Sequence, residues 1–306
     1  MRIFRELDLG ETTESSIREE ENQVRTNLVA VRAIVAFGSA RGGVGRSAIL
    51  VNLATALALA GRKIAIVDAD LNSPSILGMV GIKAGRRAFL SDDLEPAAGP
   101  LGLRIISSEF LPEGEPSVSF VDTDDNPMVP QNGAHPNEFG YLATLRRLLG
   151  RARFGALDFV FVDLASGIEH IYRLLKIVPR AKLLVATHPS ELSARATRGA
   201  ITLTSQYADA VTGVIENMAG FNCDGCHRVR PLMPYGAVAT HVRDAGAQLL
   251  ERLPFDPRFA EACDRGVIFV REYPQTPLGK QLIALAQFVD KSVDARAQVA
   301  AASSSS

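Results

Sequence analysis

Residues 33–58 read AIVAFGSARGGVGRSAILVNLATALA. Ala33 to Phe37 form a continuous apolar run, the character of a strand buried on both faces. A turn carrying Gly42, Gly43 and Gly45 follows, and a helical pattern over Ser47–Ala60 comes after it. A strand that enters a glycine turn and leaves as a helix is the phosphate-cradling pattern G-x-x-x-x-G-K-[ST], except that Arg46 stands at the lysine position. The glycines let the backbone curl with its N–H groups inward, and the helix adds its positive N-terminal end. Neither needs a side chain to bind phosphate. Arg46 keeps the positive charge but presents a planar fork in place of a compact ammonium. Ser47 is placed to ligate Mg²⁺ through its hydroxyl. A glycine-rich turn with no ligand is the plain alternative, and it leaves the next three segments unexplained.

The first of these is IAIVDADLNSPS, which sets Asp68 and Asp70 at the end of the next strand. A carboxylate there orients an attacking water or holds a metal's water shell. The second is LDFVFVDLASG, where four apolar residues lead into Asp163 and Gly167 follows with an N–H for a terminal phosphate. The third is VIENMAGF, where Asn217 follows a strand and offers an amide to the edge of a purine. Each is weak alone. Their order beside the glycine turn is what carries the reading.

Further out, apolar runs at 63–70, 103–108, 159–165, 182–188 and 210–218 alternate with helical patterns over Glu138–Leu149, Glu191–Gln206 and Ala237–Leu250. That alternation predicts an α/β fold: a doubly wound, mostly parallel sheet with helices on both faces, in a single domain over 31–293. Residues 1–30 read as a polar arm, loose or helical. Residues 109–138, proline-rich and without a period, read as a long surface excursion, and 294–306 as a disordered tail.

Composition narrows the function. The 306 residues are 47% hydrophobic, and 33 basic side chains face 34 acidic ones. That balance supplies no general attraction to nucleic acid or to an anionic membrane. No apolar run reaches the ~20 residues that span a bilayer. The first 25 residues lack the features of a secretory or transit signal, and three cysteines make no disulfide framework. The expectation is a cytoplasmic protein without nucleic-acid or membrane partners.

Cys223 and Cys226, in CDGC within the loop 221–230, have the spacing at which two thiolates grip one metal from one side. Two such pairs facing each other across a symmetric homodimer supply four ligands, enough for a bridging [4Fe–4S] cluster or, as the lesser possibility, Zn²⁺. A C-x-x-C redox pair and two unrelated thiols remain alternatives, although a redox pair ordinarily opens a helix. Cys263 lies in a helical pattern and reads as a small buried residue. His227 reads as an exposed loop histidine.

From about 33 to 292 the sequence resembles the ParA/MinD class of P-loop ATPases, whose deviant loop is K-G-G-V-G-K-[ST]. Within that class it is most similar to the Mrp/ApbC-type iron–sulfur cluster carriers. DADLNSPSILGMVG, GVIENMAGFNCDGC and LERLPFDPRFAEACDRG carry that closer similarity. The resemblance implies an ATP-binding carrier that holds a [4Fe–4S] cluster across a homodimer and transfers it to apo iron–sulfur client proteins. It places the lysine that reaches across the dimer at Arg41 and the loop lysine at Arg46. The phosphate cradle falls on Gly42, Gly43, Val44, Gly45, Arg46, Ser47 and Ala48. The magnesium hydroxyl falls on Ser47, the switch carboxylate on Asp70, the Walker-B acid on Asp163, the purine-reading amide on Asn217, and the cluster ligands on Cys223 and Cys226. Both lysines have become arginine, Ala48 replaces a second hydroxyl, and DLASGIEH replaces D-L-P-P-G-T-G-D. Backbone donors survive such changes, so ATP binding is expected to persist. Hydrolysis is expected to be slow, since a group misplaced by ~1 Å costs about a hundredfold in rate. A positioning ATPase of the ParA/MinD kind is one rival. Its membrane form needs a cationic amphipathic face that the C-terminal stretch lacks. A nucleotide-binding scaffold without turnover is the other.

Overall fold

The computed structural model describes residues 9–303 except 72, 84–93, 111–135, 208–210, 223–228 and 234–235. The N-terminal arm is a helix, α1 (Leu9–Leu28). Its Val24 and Leu28, four apart and so on one stripe, are buried. It is followed by β1 (Val31–Gly38), the glycine turn and α2 (Arg46–Leu59). Next come β2 (Ile64–Ala69), the single turn α3 (Ile76–Met79), β3 (Ala97–Ala98) and β4 (Arg104–Ser107). Most of the expected surface excursion lies outside the described residues. Its end is already helical in α4 (Pro136–Arg151). Then β5 (Leu157–Leu164), α5 (Ile168–Ile177), β6 (Lys182–Thr187), α6 (Glu191–Thr204) and β7 (Val211–Glu216) alternate. A small antiparallel pair, β8 (Gly220–Asn222) and β9 (Val229–Pro231), flanks the cysteine loop. The chain continues through α7 (Ala237–Asp244), β10 (Leu249–Arg252), α8 (Pro257–Asp264), α9 (Phe269–Glu272) and α10 (Pro277–Ser303).

Among the described residues, one eight-stranded sheet has the order β10-β7-β6-β1-β5-β2-β4-β3. All its pairings are parallel except β3 with β4 at the edge. Successive side chains of a strand point to opposite faces, and β1 feeds two cores accordingly. Ala33, Val35 and Phe37 pack with Leu50, Leu53 and Leu57 of α2 and with Leu282 of α10. Ile34 and Ala36 join Leu145 and Leu148 of α4 and Leu174 of α5. Each fully buried leucine stabilises by ~1.5–3 kcal/mol relative to exposure, so both faces hold the central strand firmly. This is the doubly wound α/β architecture expected from the alternation. The sheet runs from β1 to β5 on one side and to β6 on the other. A crevice therefore opens beyond the carboxyl ends at β1, where such sheets bind ligands.

The arm takes the helical of its two expected forms, and two other segments differ from the sequence expectation. The arm docks: the Asn27 amide donates to the carbonyls of Leu149 (2.7 Å) and Ala152 (2.6 Å), and Arg146 meets Glu20 at 2.7 Å. The helix expected to reach Leu250 stops at Asp244. Gly246 has φ 75°, and Ala247 N–H bonds back to the Val242 carbonyl, a left-handed helix stop that frees β10 to join the sheet edge. Conversely, α10 runs to Ser303, into the stretch read as a disordered tail. Its run of alanines there has the highest helix propensity. No helix among the described residues is long and apolar enough to cross a membrane.

Candidate functional site

The glycine turn sits at the carboxyl end of the central strand. Gly43 and Gly45 adopt φ 75° and 78°, a left-handed conformation that side chains resist. Gly45 caps α2, whose first turn carries neither a side-chain cap nor an acid. Its N-terminal N–H groups and positive dipole end are therefore unclaimed by any capping side chain, as an anion site requires. A Cβ on Gly45 would lie 2.5 Å from the Asn217 amide nitrogen. That nitrogen donates to the Val44 carbonyl at 2.9 Å, while the Asn217 backbone N–H donates to Thr187 at 2.8 Å. Asn217 thus staples the turn to the ends of β6 and β7. Gly167 N–H, expected to face a phosphate, donates instead to the Ser39 carbonyl at 2.8 Å.

Parallel register brings the acids together. Asp68 of β2 lies directly opposite Asp163 of β5, and Asp163 lies opposite Phe37 of β1. Both acids are fully buried. Asp68 accepts backbone N–H groups from Ser75 (2.9 Å) and Ile76 (3.0 Å), so it shapes the chain entering α3. Burial, followed by the Asp163 charge, pushes the Asp68 carboxyl up to about 7. Burial also raises Asp163, against the pull of the Arg46 guanidinium and of hydrogen bonds from Arg46 and Ser47.

Arg46 turns onto these acids. Its Nε donates to Asp163 Oδ1 at 2.6 Å and its Nη2 to Asp70 Oδ2 at 2.9 Å. Ser47 Oγ donates to the second oxygen of Asp163 at 2.5 Å. Burial pulls the guanidinium pKa down, but Asp163 and Asp70 outweigh it, and the net shift is upward. Ser47, Asp70 and Asp163 form the hard oxygen set that Mg²⁺ prefers. As arranged, these oxygens are already engaged by the guanidinium and by one another, so the set does not fit a divalent cation without movement of Arg46.

Other expected residues have different fates. Gly42 and Gly43 lie exposed in the turn, and Val44 and Ala48 are buried beneath it. Arg41 is also exposed on the turn. Cys223, Cys226 and His227 lie outside the described residues. Cys263 is half-buried, and burial pushes its thiol up to about 11, a protonated and inert state at neutral pH.

Two residues beside the acids were not singled out from the sequence for this place. Tyr141 of α4 and His170 of α5 pack at a tilt, with ring centroids 4.4 Å apart. Burial raises the phenol's pKa and lowers the imidazole's, and both groups feel the charges of Asp70 and Arg46. Among the described residues, neither the Tyr141 hydroxyl nor His170 Nδ1 has a hydrogen-bond partner. The departure of DLASGIEH from its family pattern was the available signal for His170. Tyr141, following the long excursion, had none. A cleft of about 320 Å³ opens at the end of β10, walled by Phe221, Pro254, Phe255, Asp256 and Leu278. Phe221 and Phe255 are bridged, and Leu253 N–H bonds to Glu216 at the end of β7.

A glycine turn between a central parallel strand and a helix, with buried acids on the next two strands, defines the P-loop class of nucleoside-triphosphate-binding folds. Within that class the match is specific. The model of the NUBPL iron-transfer P-loop NTPase family, in the ParA group, covers residues 30–290, and the chain belongs to that family. The iron–sulfur cluster carrier protein of Saccharolobus solfataricus is 29% identical over 274 residues, 89% of this chain and 88% of the relative. The cytosolic Fe-S cluster assembly factor NUBP2 of Homo sapiens is 31% identical over 265 residues, 85% of this chain and 93% of that one. Among solved structures, a nucleotide-binding protein from Archaeoglobus fulgidus in complex with ADP superposes with a TM-score of 0.66 at 26% identity. The superposition covers 81% of this chain and 92% of that one.

Proposed function

We propose that this protein is a nucleotide-dependent carrier that holds an iron–sulfur cluster and passes it to apo-proteins in the cytoplasm. Membership of the iron-transfer P-loop family over residues 30–290, in a chain that keeps the C-x-x-C at Cys223 and Cys226, is the observation that carries this reading. The relatives named for the same task support it.

The roles of this chain's residues follow from the site. The N–H groups of Gly42 to Ala48 and the start of α2 receive the phosphates of ATP. Asn217 and the cleft walled by Phe221, Pro254 and Phe255 take the purine. Asp70 orients the attacking water, and Arg41 reaches the nucleotide of a second copy. Cys223 and Cys226 from two copies supply four thiolates to a [4Fe–4S] cargo, with Zn²⁺ as the lesser possibility. The cysteine loop is joined to the nucleotide site by a short run of chain. Asn217, bonded to the turn, is followed three residues on by the start of β8, which ends at Asn222. A change at the turn is therefore transmitted to the cluster ligands through few bonds. Turnover is slow, because Arg46 lies on the acids and away from the transferring phosphate.

Anaerobic reconstitution tests this reading. Iron and sulfide are counted per chain in the wild type and in Cys223→Ala/Cys226→Ala, with calorimetric titration of ATP on the same samples. The expected result is cluster in the wild type only and nucleotide bound by both. Undiminished iron and sulfide in the double variant would sink the ligand assignment, and stoichiometric zinc would turn it into a structural site.

A further inference from the structure

Arg46 satisfies two acids at once. Its Nε lies 2.6 Å from Asp163, its Nη2 lies 2.9 Å from Asp70, and its side chain is 8% exposed. Ser47, 3.4 Å from the same Nη2, spends its proton on the remaining oxygen of Asp163. The guanidinium therefore engages both carboxylates that the family pattern reserves for a metal's surroundings, and Ser47 closes the set. A lysine does this less well. Its single ammonium is one point of charge, whereas the guanidinium offers separate Nε and Nη donors in a rigid fork that spans two carboxylates. Neighbouring polar groups among the described residues have contacts of their own. Asp68 is turned to the N–H groups of Ser75 and Ile76. Tyr141 and His170 pack against each other, and Arg173 lies over the Tyr141 ring.

We infer that Arg46 is an intramolecular competitor of the divalent cation: the guanidinium is the resident cation of the Asp70–Asp163 pair, and a metal ion enters only when it leaves. This rests on the nucleotide reading for where the phosphates lie, but not for the competition itself. The substitution of arginine for lysine in the loop then sets the metal dependence of the site. Nucleotide can bind through the backbone cradle with the guanidinium in place, and a divalent ion tightens it only at raised concentration.

The test uses Mn²⁺ as the probe, followed by the paramagnetic resonance of free Mn²⁺, on the full chain with and without ADP. Arg46→Lys keeps the charge but replaces the wide fork with a compact head that spans the two acids less well, and Arg46→Gln removes the charge. Thermal melts and circular dichroism confirm that each variant is folded. If the guanidinium holds the acids in nine molecules of ten, the apparent metal affinity falls ~10-fold. The wild type is therefore expected to bind Mn²⁺ at least ~10-fold more weakly than either variant. Equal Mn²⁺ affinity in the wild type and Arg46→Lys overturns the inference. So does tight binding of one Mn²⁺ per wild-type chain without nucleotide, a result that stands even if both variants unfold. Absence of ADP binding in every protein would remove the nucleotide reading instead, and the nucleotide-free Mn²⁺ comparison would still decide the competition.

Discussion

Changing Gly45 to alanine should loosen the glycine turn by way of Asn217, and the size of the effect follows from the structure. Gly45 has φ 78°, where an L-residue costs ~1–2 kcal/mol. The new Cβ would stand 2.5 Å from the Asn217 amide nitrogen. Asn217 is buried and its backbone is tied to Thr187, so only its side chain can yield. Yielding breaks the 2.9 Å bond to Val44 and leaves a buried carbonyl unpaired, a loss of ~1–3 kcal/mol. The total is ~2–5 kcal/mol. At about 2–4 °C per kcal/mol for domains near this size, the melting temperature should fall by roughly 4–20 °C. Asn217→Ala already forfeits the amide bond, and it removes the atom that the new Cβ meets. In that background Gly45→Ala should cost only the backbone share, ~1–2 kcal/mol. A double-mutant cycle by urea unfolding should therefore show a coupling of ~1–3 kcal/mol. Additivity within ~0.5 kcal/mol would refute the claim that Asn217 and Gly45 occupy one shared space.

Three further outcomes are expected. Asp68 holds its proton up to about 7 in the folded protein but only to ~3.9 in the unfolded chain. The native state thus binds the extra proton between those values, and stability should fall as pH rises from ~4 to about 7 and level off above. Asp68→Asn should flatten the melting temperature across that window, and an unchanged slope would count against the assignment. Asn52→Ala should cost ~1–3 kcal/mol and speed hydrogen exchange at Val270, because the Asn52 carboxamide accepts the Val270 N–H at 2.8 Å and donates to Ala48 at 2.8 Å. Asp290→Ala, which removes partly exposed pairs to Arg62 (2.9 Å) and Arg32 (3.4 Å), should cost less than ~1 kcal/mol and nothing measurable in 1 M salt. A larger loss that persists in salt would mean that α10 is held to the sheet mainly by these charges.

What the sequence determined by itself is what neighbouring residues decide together. The apolar run into Gly42, Gly43 and Gly45 and the helix after it are local, because strand burial, left-handed turns and helix starts depend on residues a few positions apart. Alternation of apolar runs with helical patterns sufficed for a doubly wound sheet, since continuous apolar strands need cover on both faces. The helix stop at Gly246 was also written locally, although its pattern was overrun by the apolar residues that follow. Tertiary structure decided what depends on strand order. Asn217 meets Val44 across 173 positions, and Asp68 faces Asp163 only because β2 pairs with β5 in that register. Tyr141 and His170 reach the acids because α4 and α5 cover the same face of the sheet. The direction of Arg46 was settled there too. Sequence placed a cation beside a phosphate cradle. The buried Asp163 and the part-buried Asp70, each within 3 Å of the guanidinium at the ends of nearby strands, turned it away, because a buried charge goes to the opposite charge that relieves its desolvation.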